Sequence, residues 1–191
     1  MKIKHFGYLN QYPVVMKLQV CLFIVVLLCV GMRPAPVPVP AEFRGGKAGL
    51  VEMLAYIRTA DIEERVIFSR MLAPTIEDCQ EIFDTDFAAS MYQWERKLYR
   101  RYNPVVTPVS RRQTELVCWQ SSRKELLAYE GEARHFPGGY RELASHLNPE
   151  VDVYRVKFLE PGRSIGAAYD IFVFVNGHWV LLWQPWRLVL Q

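Results

Sequence analysis

The first 41 residues of this 191-residue chain contain no acidic residue. All 20 acidic residues lie at or after Glu42, whereas four of the 23 basic residues precede it. From Glu42 onward the chain is therefore nearly neutral, with 19 basic and 20 acidic residues. Nucleic-acid-binding domains need a basic face for phosphate contacts, so this balance argues against a nucleic-acid partner.

The chain also lacks the short motifs that mark the common enzyme classes. It contains no glycine-rich phosphate loop, no dinucleotide fingerprint, no nucleophile elbow and no zinc-protease helix motif. Its four cysteines include no C-x-x-C pair and no Cys/His cluster, which argues against structural zinc. We therefore predict neither a cofactor nor a metal.

The cysteines fall into two groups. Cys21 and Cys29 lie in an apolar run, where cysteine behaves as a small hydrophobic residue. Cys79 and Cys118 lie in the main body and form either one disulfide or two separate buried thiols. The spacing of the two residues does not decide between these alternatives, because a disulfide depends on geometry in space.

The apolar run covers residues 18–32, with Gln19 as its only strongly polar member and Lys17 and Arg33 at its ends. As a helix it would span about 22 Å, which is short of the roughly 30 Å hydrocarbon core of a bilayer. Its length favours a signal peptide, and a retained anchor or a buried core helix are the alternatives. We expect residues 1–32 to be a signal peptide or membrane anchor, starting at Met1 or at Met16.

A proline occupies every second position from Pro34 to Pro40. Proline fixes φ and donates no backbone hydrogen bond, so residues 33–42 are predicted to be an extended linker, with or without a role as a stalk. Residues 43–191 then form a single domain. This organisation predicts an exported protein, secreted or anchored in the cell envelope, whose membrane contact is the N-terminal apolar segment.

The first half of the domain has helical periodicity. Three sets of apolar residues indicate three helices, and Thr75 is placed to cap a further helix. The sets are Leu50, Met53, Leu54 and Ile57; Ile62, Val66, Phe68 and Leu72; and Phe87, Met91, Trp94, Leu98 and Tyr102.

The opposite face of the last predicted helix is highly charged. It carries Glu95, Arg96, Lys97, Arg100 and Arg101. Such cations could meet an acidic partner or lipid headgroups, or they could simply complement the dipole at the helix C-terminus.

The second half changes to strand patterns. Strands are predicted at residues 114–120, 151–159 and 166–175, and short helices follow Ser122 and Tyr140. The order predicts an α+β fold in which N-terminal helices pack on one side of a four-stranded, mainly antiparallel, curved sheet that ends in a β-hairpin.

The final hairpin is centred on Asn176 and Gly177, a dipeptide typical of a two-residue type I′ turn. Pairing of Val175 with His178 would place apolar side chains on both faces of the hairpin. On this alternation Asp170 is predicted to share a face with Phe172 and Phe174.

Three motifs carry a resemblance to known proteins. They are F-P-G-G-Y-R at residues 136–141, E-P-G at residues 160–162, and the closing V-N-G-H-W-V…P-W-R. Over residues 45–191 the chain resembles a group of uncharacterised exported bacterial proteins. These often carry a lysine before the last P-W-R, where this chain has Gln184, so no role of that lysine is transferred. Helices followed by a curved sheet are also similar to NTF2-like or cystatin-like architectures, which host many functions.

Aromatic residues near the C-terminus are the main candidate site. They would form either part of the core or a concave wall that binds an apolar or sugar-like ligand or a partner surface. The candidate ligand-binding residues are Trp179, Trp183, Trp186, Arg187, Phe172, Phe174 and Tyr140. Arg187 would hold an anionic group or form a salt bridge with Asp170.

Two functional hypotheses follow from these candidates. The first is non-catalytic binding of a ligand or of an envelope protein partner. The alternative is an NTF2-like enzyme of hydrolase or isomerase type, in which Asp170 and either His178 or His135 form an acid–base pair inside a cone-shaped pocket.

Overall fold

The computed structural model describes residues 37–190. The predicted leader 1–32, including Cys21 and Cys29, and the first prolines of the predicted linker lie outside these residues. Among residues 37–190 no helix combines the length and the apolar character needed to cross a bilayer.

Residues 37–190 form seven α-helices, two 3₁₀ helices and a four-stranded sheet. The helices are α1 Gly46–Thr59, α2 Ile62–Met71, α3 Ile76–Ile82, α4 Thr85–Tyr102, α5 Arg123–Ala128, α6 Tyr140–Ala144 and α7 Trp186–Val189. The strands are β1 Glu115–Ser122, β2 Asp152–Leu159, β3 Gly166–Val175 and β4 His178–Leu181. The 3₁₀ helices span Pro40–Glu42 and Gly131–His135. The predicted α+β class is confirmed.

Local side-chain bonds explain where the helices begin. Thr75 and Ser122 form reciprocal capping boxes at the starts of α3 and α5, as their sequence context predicted. Asp61 does the same for α2, and the Asp84 carboxylate accepts a bond from the N–H of Phe87 at the start of α4. These caps satisfy amides that have no partner inside the helix.

The sheet has the order β1-β2-β3-β4, and each neighbouring pair is antiparallel. Other parts of the chain bond to both edge strands. At β1 the Glu132 carboxylate accepts a bond from the N–H of Gln120, and at β4 the N–H of Leu181 donates to the carbonyl of Leu72. Covered edges protect a sheet from pairing with another chain.

The final hairpin has the predicted register. Val175 pairs with His178, and Val173 pairs with Val180. Asn176 and Gly177 both have positive φ, at 51° and 78°, as a type I′ turn requires.

Helices cover both faces of the sheet, so the prediction that they pack on one side was wrong. One face, with Val173 and Val180, packs against α3 to α6. The other face, with Phe172 and Trp179, packs against α1 and α2. The reason is that the hairpin is apolar on both faces, and both must leave water.

A β-bulge at Ile171 changes the face on which Asp170 lies. Tyr154 pairs with Phe172 and Arg155 pairs with Asp170, so Ile171 is an extra residue in β3. Its φ of 60° is a rare value for a β-branched residue. Asp170 therefore lies opposite to Phe172, and the prediction that they share a face was wrong.

The two described cysteines lie in different cores and are free thiols. Cys79 belongs to the core on the Val173 face, and Cys118 belongs to the core on the Phe172 face. Burial raises the pKa of Cys79 to about 12 and that of Cys118 to about 11, so both thiols are poor nucleophiles.

The folded structure begins before Phe43. Residues Pro40–Glu42, predicted as linker, form a 3₁₀ helix in which Pro40 is buried, because proline suits the first turn of a helix. Val37 and Phe43 pack against the core of the Phe172 face.

The tip of the hairpin is attached to α3 through Asp78, whose side chain is only 1% exposed. Its carboxylate accepts bonds from the N–H and hydroxyl of Thr75, both at 2.9 Å, and from the side-chain amide of Asn176 at 2.8 Å. The Nε2 atom of His178 lies 3.3 Å away. Burial alone would raise the pKa of Asp78, but the bonds from Thr75 and Asn176 outweigh it and lower the pKa.

We expect Asp78→Asn to destabilise the fold at pH 7 by about 1–3 kcal/mol, because buried donors lose a charged acceptor. Because the pKa of Asp78 is lower in the folded state, its ionised carboxylate stabilises the fold. This contribution is complete above the pKa of about 3.9 that an unfolded aspartate has, and it is lost as the pH falls below that value. Urea unfolding from pH 3 to pH 7 measures the effect. The difference in free energy of unfolding between Asp78→Asn and wild type should shrink below about pH 4. The exposed Glu77→Gln on the same helix is the control, and a difference that stays constant with pH would contradict this account.

Candidate functional site

A groove of about 510 Å³ lies between the C-terminal half of α4 and the segment that follows β4. Two indoles, Trp94 and Trp183, and three cations, Lys97, Arg101 and Arg187, line it. No acidic residue lines it. Leu98, Tyr102, Pro104 and Gln184 complete the lining of what we call the tryptophan groove.

Helix α4 supplies one wall through its periodicity. Trp94 and Leu98 are four residues apart, as are Lys97 and Arg101, so each pair projects from the same side of the helix. The helix ends at Tyr102, and the capping residue Asn103 has a left-handed φ of 42° and precedes Pro104. Proline cannot continue the helix, and Pro104 itself lines the groove.

The segment after β4 supplies the other wall. The backbone N–H of Trp183 donates to Oε1 of Glu95 on α4 at 2.9 Å. Gln184 turns the chain with a positive φ of 51°, and α7 begins two residues later. The guanidinium of Arg187 lies 5.4 Å from the centroid of the Trp186 ring, within the range of a cation–π contact.

Glu95 is fully buried behind this wall, with an exposed fraction of 0%. Its predicted position on the polar face of α4 was wrong, because it shares the buried side of the helix with Ala88 and Met91. Burial raises the pKa of Glu95 well above its usual range, although the bond from Trp183 acts in the opposite direction. Its second oxygen, Oε2, has no hydrogen-bond partner among the described residues.

The cations of the groove have no acidic partner within residues 37–190. Lys97, Arg101 and Arg187 form no salt bridge there, whereas Lys47 pairs with Glu132 and Arg155 pairs with Asp170. An anion that enters the groove therefore has no ion pair to break.

The predicted aromatic wall does not form one surface. Trp183 and Arg187 line the tryptophan groove. Trp179 and Phe172 are fully buried in the core, and Tyr140 is 1% exposed.

Two further members of that wall lie elsewhere. Phe174 lines a different cleft of about 510 Å³, beside Glu81 and Glu150. Trp186 packs near Gly139 and is absent from the lining of the groove. Within residues 37–190 no group of three or more histidine, cysteine, aspartate or glutamate side chains is arranged to hold a metal ion.

Asp170 forms a salt bridge with Arg155, not with Arg187. The Nε atom of Arg155 lies 2.6 Å from Oδ1 of Asp170, and the guanidinium also donates to the carbonyl of His135. The His135 ring stacks on Trp119 with a centroid distance of 4.7 Å. Neither Asp170 nor His135 lines the tryptophan groove or the cleft beside Phe174.

The other two described histidines also have partners. His178 has Nε2 at 3.3 Å from Asp78 and Nδ1 at 3.4 Å from the carbonyl of Asn176. His146 has Nδ1 at 2.9 Å from Asp84, and its ring stacks on Phe87. Neither histidine forms a hydrogen bond with Asp170, whose side chain bonds to Arg155.

Sequence reasoning did not combine Trp94, Lys97 and Arg101 into one site with the residues near the C-terminus. Trp94 was assigned to an apolar stripe, and the two cations were assigned to a separate charged face. The spacing of these three residues does place them around one side of α4. What the sequence did not show is that the segment after β4 packs against this side.

We expect Glu95→Gln to become more stable than wild type as the pH rises. Because the pKa of Glu95 is raised, the folded state keeps a proton that the unfolded chain releases above about pH 4.3. Wild-type stability therefore falls as the pH rises toward the folded-state pKa, and glutamine avoids this loss while retaining an acceptor for Trp183. Urea unfolding from pH 4 to pH 8 measures the effect, with the exposed Glu52→Gln as control. If the free energies of unfolding of Glu95→Gln and wild type differed by the same amount at every pH, this account of Glu95 would be wrong.

Comparison of the chain with known proteins found no relative. No protein-family model matches the chain, and no match was found among curated proteins or solved structures. The resemblance to exported bacterial proteins and the likeness to NTF2-like or cystatin-like folds therefore stay predictions. The site is interpreted from its own chemistry.

Proposed function

We propose that this chain is an exported or membrane-tethered domain that binds a ligand without catalysing a reaction. The ligand has an apolar body and an anionic group and occupies the tryptophan groove. One observation carries the proposal, namely two indoles and three cations without a salt bridge among residues 37–190, all in a single concave site. The volume of about 510 Å³ lies within the range of small-molecule sites.

The indoles of the groove favour an apolar body in the ligand, and the cations favour an anionic group. Between Trp94 and Trp183, apolar surface leaves water with a gain of about 25 cal/mol per Å². Lys97, Arg101 and Arg187 attract a negative charge, which fixes the orientation of the ligand. A purely apolar ligand would leave the cations unused, and a purely polar ligand would leave the indoles unused.

A binding role is favoured over catalysis by the chemistry of the lining. The groove is lined by no carboxylate, histidine, cysteine or serine side chain. The acid–base alternative rested on Asp170, whose carboxylate is paired with Arg155 away from the groove.

The predicted location follows from the N-terminal sequence. The apolar residues 18–32, with Lys17 and Arg33 at their ends, support export through a signal peptide or anchor. The membrane and an envelope ligand or partner are accordingly the expected surroundings of the domain.

Titration of the full chain with dodecanoate tests the groove. All five tryptophans lie at or after Trp94, so tryptophan fluorescence reports on the domain and not on the apolar segment. We expect Trp183→Ala and Arg187→Gln each to weaken binding by about tenfold, which corresponds to about 1.4 kcal/mol.

The controls are Trp119→Ala and Arg163→Gln, which lie outside the groove. Circular dichroism checks that each variant is folded, and Trp183→Phe replaces Trp183→Ala if the alanine variant unfolds. Dodecanoate binding that is unchanged in folded Trp183 and Arg187 variants would refute the proposed site.

Fractionation of expressing cells tests the location. We expect the chain in the membrane or outside the cytoplasm, because the apolar segment would direct it there. A variant with Val25→Glu and Leu27→Glu, which interrupts the apolar run, should instead stay in the cytoplasm. Recovery of the full-length wild-type chain as a soluble cytoplasmic protein would contradict export.

A further inference from the structure

A second depression adjoins the tryptophan groove on α4. It measures about 300 Å³ and is lined by Gln93, Arg96, Lys97, Arg100 and Arg101. We call it the basic hollow. Lys97 and Arg101 line both the hollow and the groove, so the two depressions meet at these two side chains.

The helix dipole explains only part of this charge. Arg100 and Arg101 lie in the last turn of α4, where cations offset the negative end of the dipole. Arg96 and Lys97 precede that turn, and the dipole effect is confined to the last turn. Neither residue forms a salt bridge within residues 37–190. Two cations are therefore left for which intramolecular electrostatics supplies no partner.

Building on the proposed function of the groove, we propose that the ligand is a phosphate ester of an apolar molecule. The apolar body lies between Trp94 and Trp183, and the phosphate lies at Lys97 and Arg101, within the shared part of the site. Arg96 and Arg100 of the basic hollow then hold the remaining negative charge.

Phosphate fits this arrangement better than a carboxylate does. A phosphate monoester carries about −1.5 to −2 charges near pH 7 and offers three acceptor oxygens, whereas a carboxylate carries one charge and two oxygens. Three of the four cations in the hollow are arginines, whose planar guanidinium donates two parallel bonds to phosphate oxygens. A lone carboxylate would use only part of this set of donors.

The test compares dodecyl phosphate with dodecanoate on the full chain at pH 8, below the concentration at which either forms micelles. We expect dodecyl phosphate to bind at least tenfold more tightly. In the double variant Arg96→Gln with Arg100→Gln this preference should disappear, while the affinity for dodecanoate stays within about twofold. Wild-type affinity for dodecyl phosphate should also fall between pH 8 and pH 5, because the second phosphate pKa is about 6.

A double variant with Arg134→Gln and Arg163→Gln is the matched control, since it removes the same charge outside the site. Equal affinity for the two probes, or a phosphate preference that survives in the Arg96 and Arg100 variant, would overturn the inference. The proposed function would still stand if dodecanoate binding required Trp183. Loss of the Trp183 requirement would overturn the proposed function itself.

A further experiment distinguishes two sources of the phosphate ester, a membrane lipid and a soluble molecule. Sedimentation with vesicles of phosphatidylcholine, with and without phosphatidic acid, tests for a membrane lipid. Binding that requires phosphatidic acid and Arg96 assigns the ligand to the bilayer. Binding of dodecyl phosphate without vesicle binding assigns it to a soluble ester, and both results support the same chemistry.

Discussion

The burial of both faces of the β3–β4 hairpin is the constraint on which the rest of the structure depends. Phe172 and Trp179 on one face and Val173 and Val180 on the other are completely inaccessible to solvent. Each such side chain contributes about 1.5–3 kcal/mol by leaving water, so a layer of helices on each face is strongly favoured. The middle of the hairpin is therefore closed to a ligand on both faces, and only its tip lines a cleft, at Phe174, Val175 and Asn176. The candidate site lies instead where the chain leaves β4 and runs against α4.

Local signals made much of the fold predictable. Thr75 and Ser122 mark helix starts through bonds to residues three positions away, and Asn176 with Gly177 sets the register of the hairpin. The bulge at Ile171 has no such signal, because a β-branched residue disfavours positive φ. Only the surrounding packing can impose that conformation. The face of Asp170, and with it the predicted acid–base site, was therefore beyond sequence reasoning.

The candidate site was predictable only where its residues stand out locally in the sequence. Trp183 and Arg187 stand out in the sequence because they belong to a dense aromatic stretch at its end. Glu95 has the opposite character, since an isolated glutamate among arginines and lysines is typical of a solvated helix face. Its burial depends on a backbone amide 88 residues later in the chain. Contacts at that separation leave no trace in the periodicity of a single helix.

Helix α4 forms one wall of the tryptophan groove and also holds the opposite wall in position. Tyr99 donates its hydroxyl to the carbonyl of Leu181 at 3.0 Å, and Glu95 accepts the amide of Trp183 at 2.9 Å. These two bonds tie the segment that carries Trp183 to the helix that carries Trp94. On the proposed function, a ligand would meet a preformed groove, so little conformational entropy would be lost on binding.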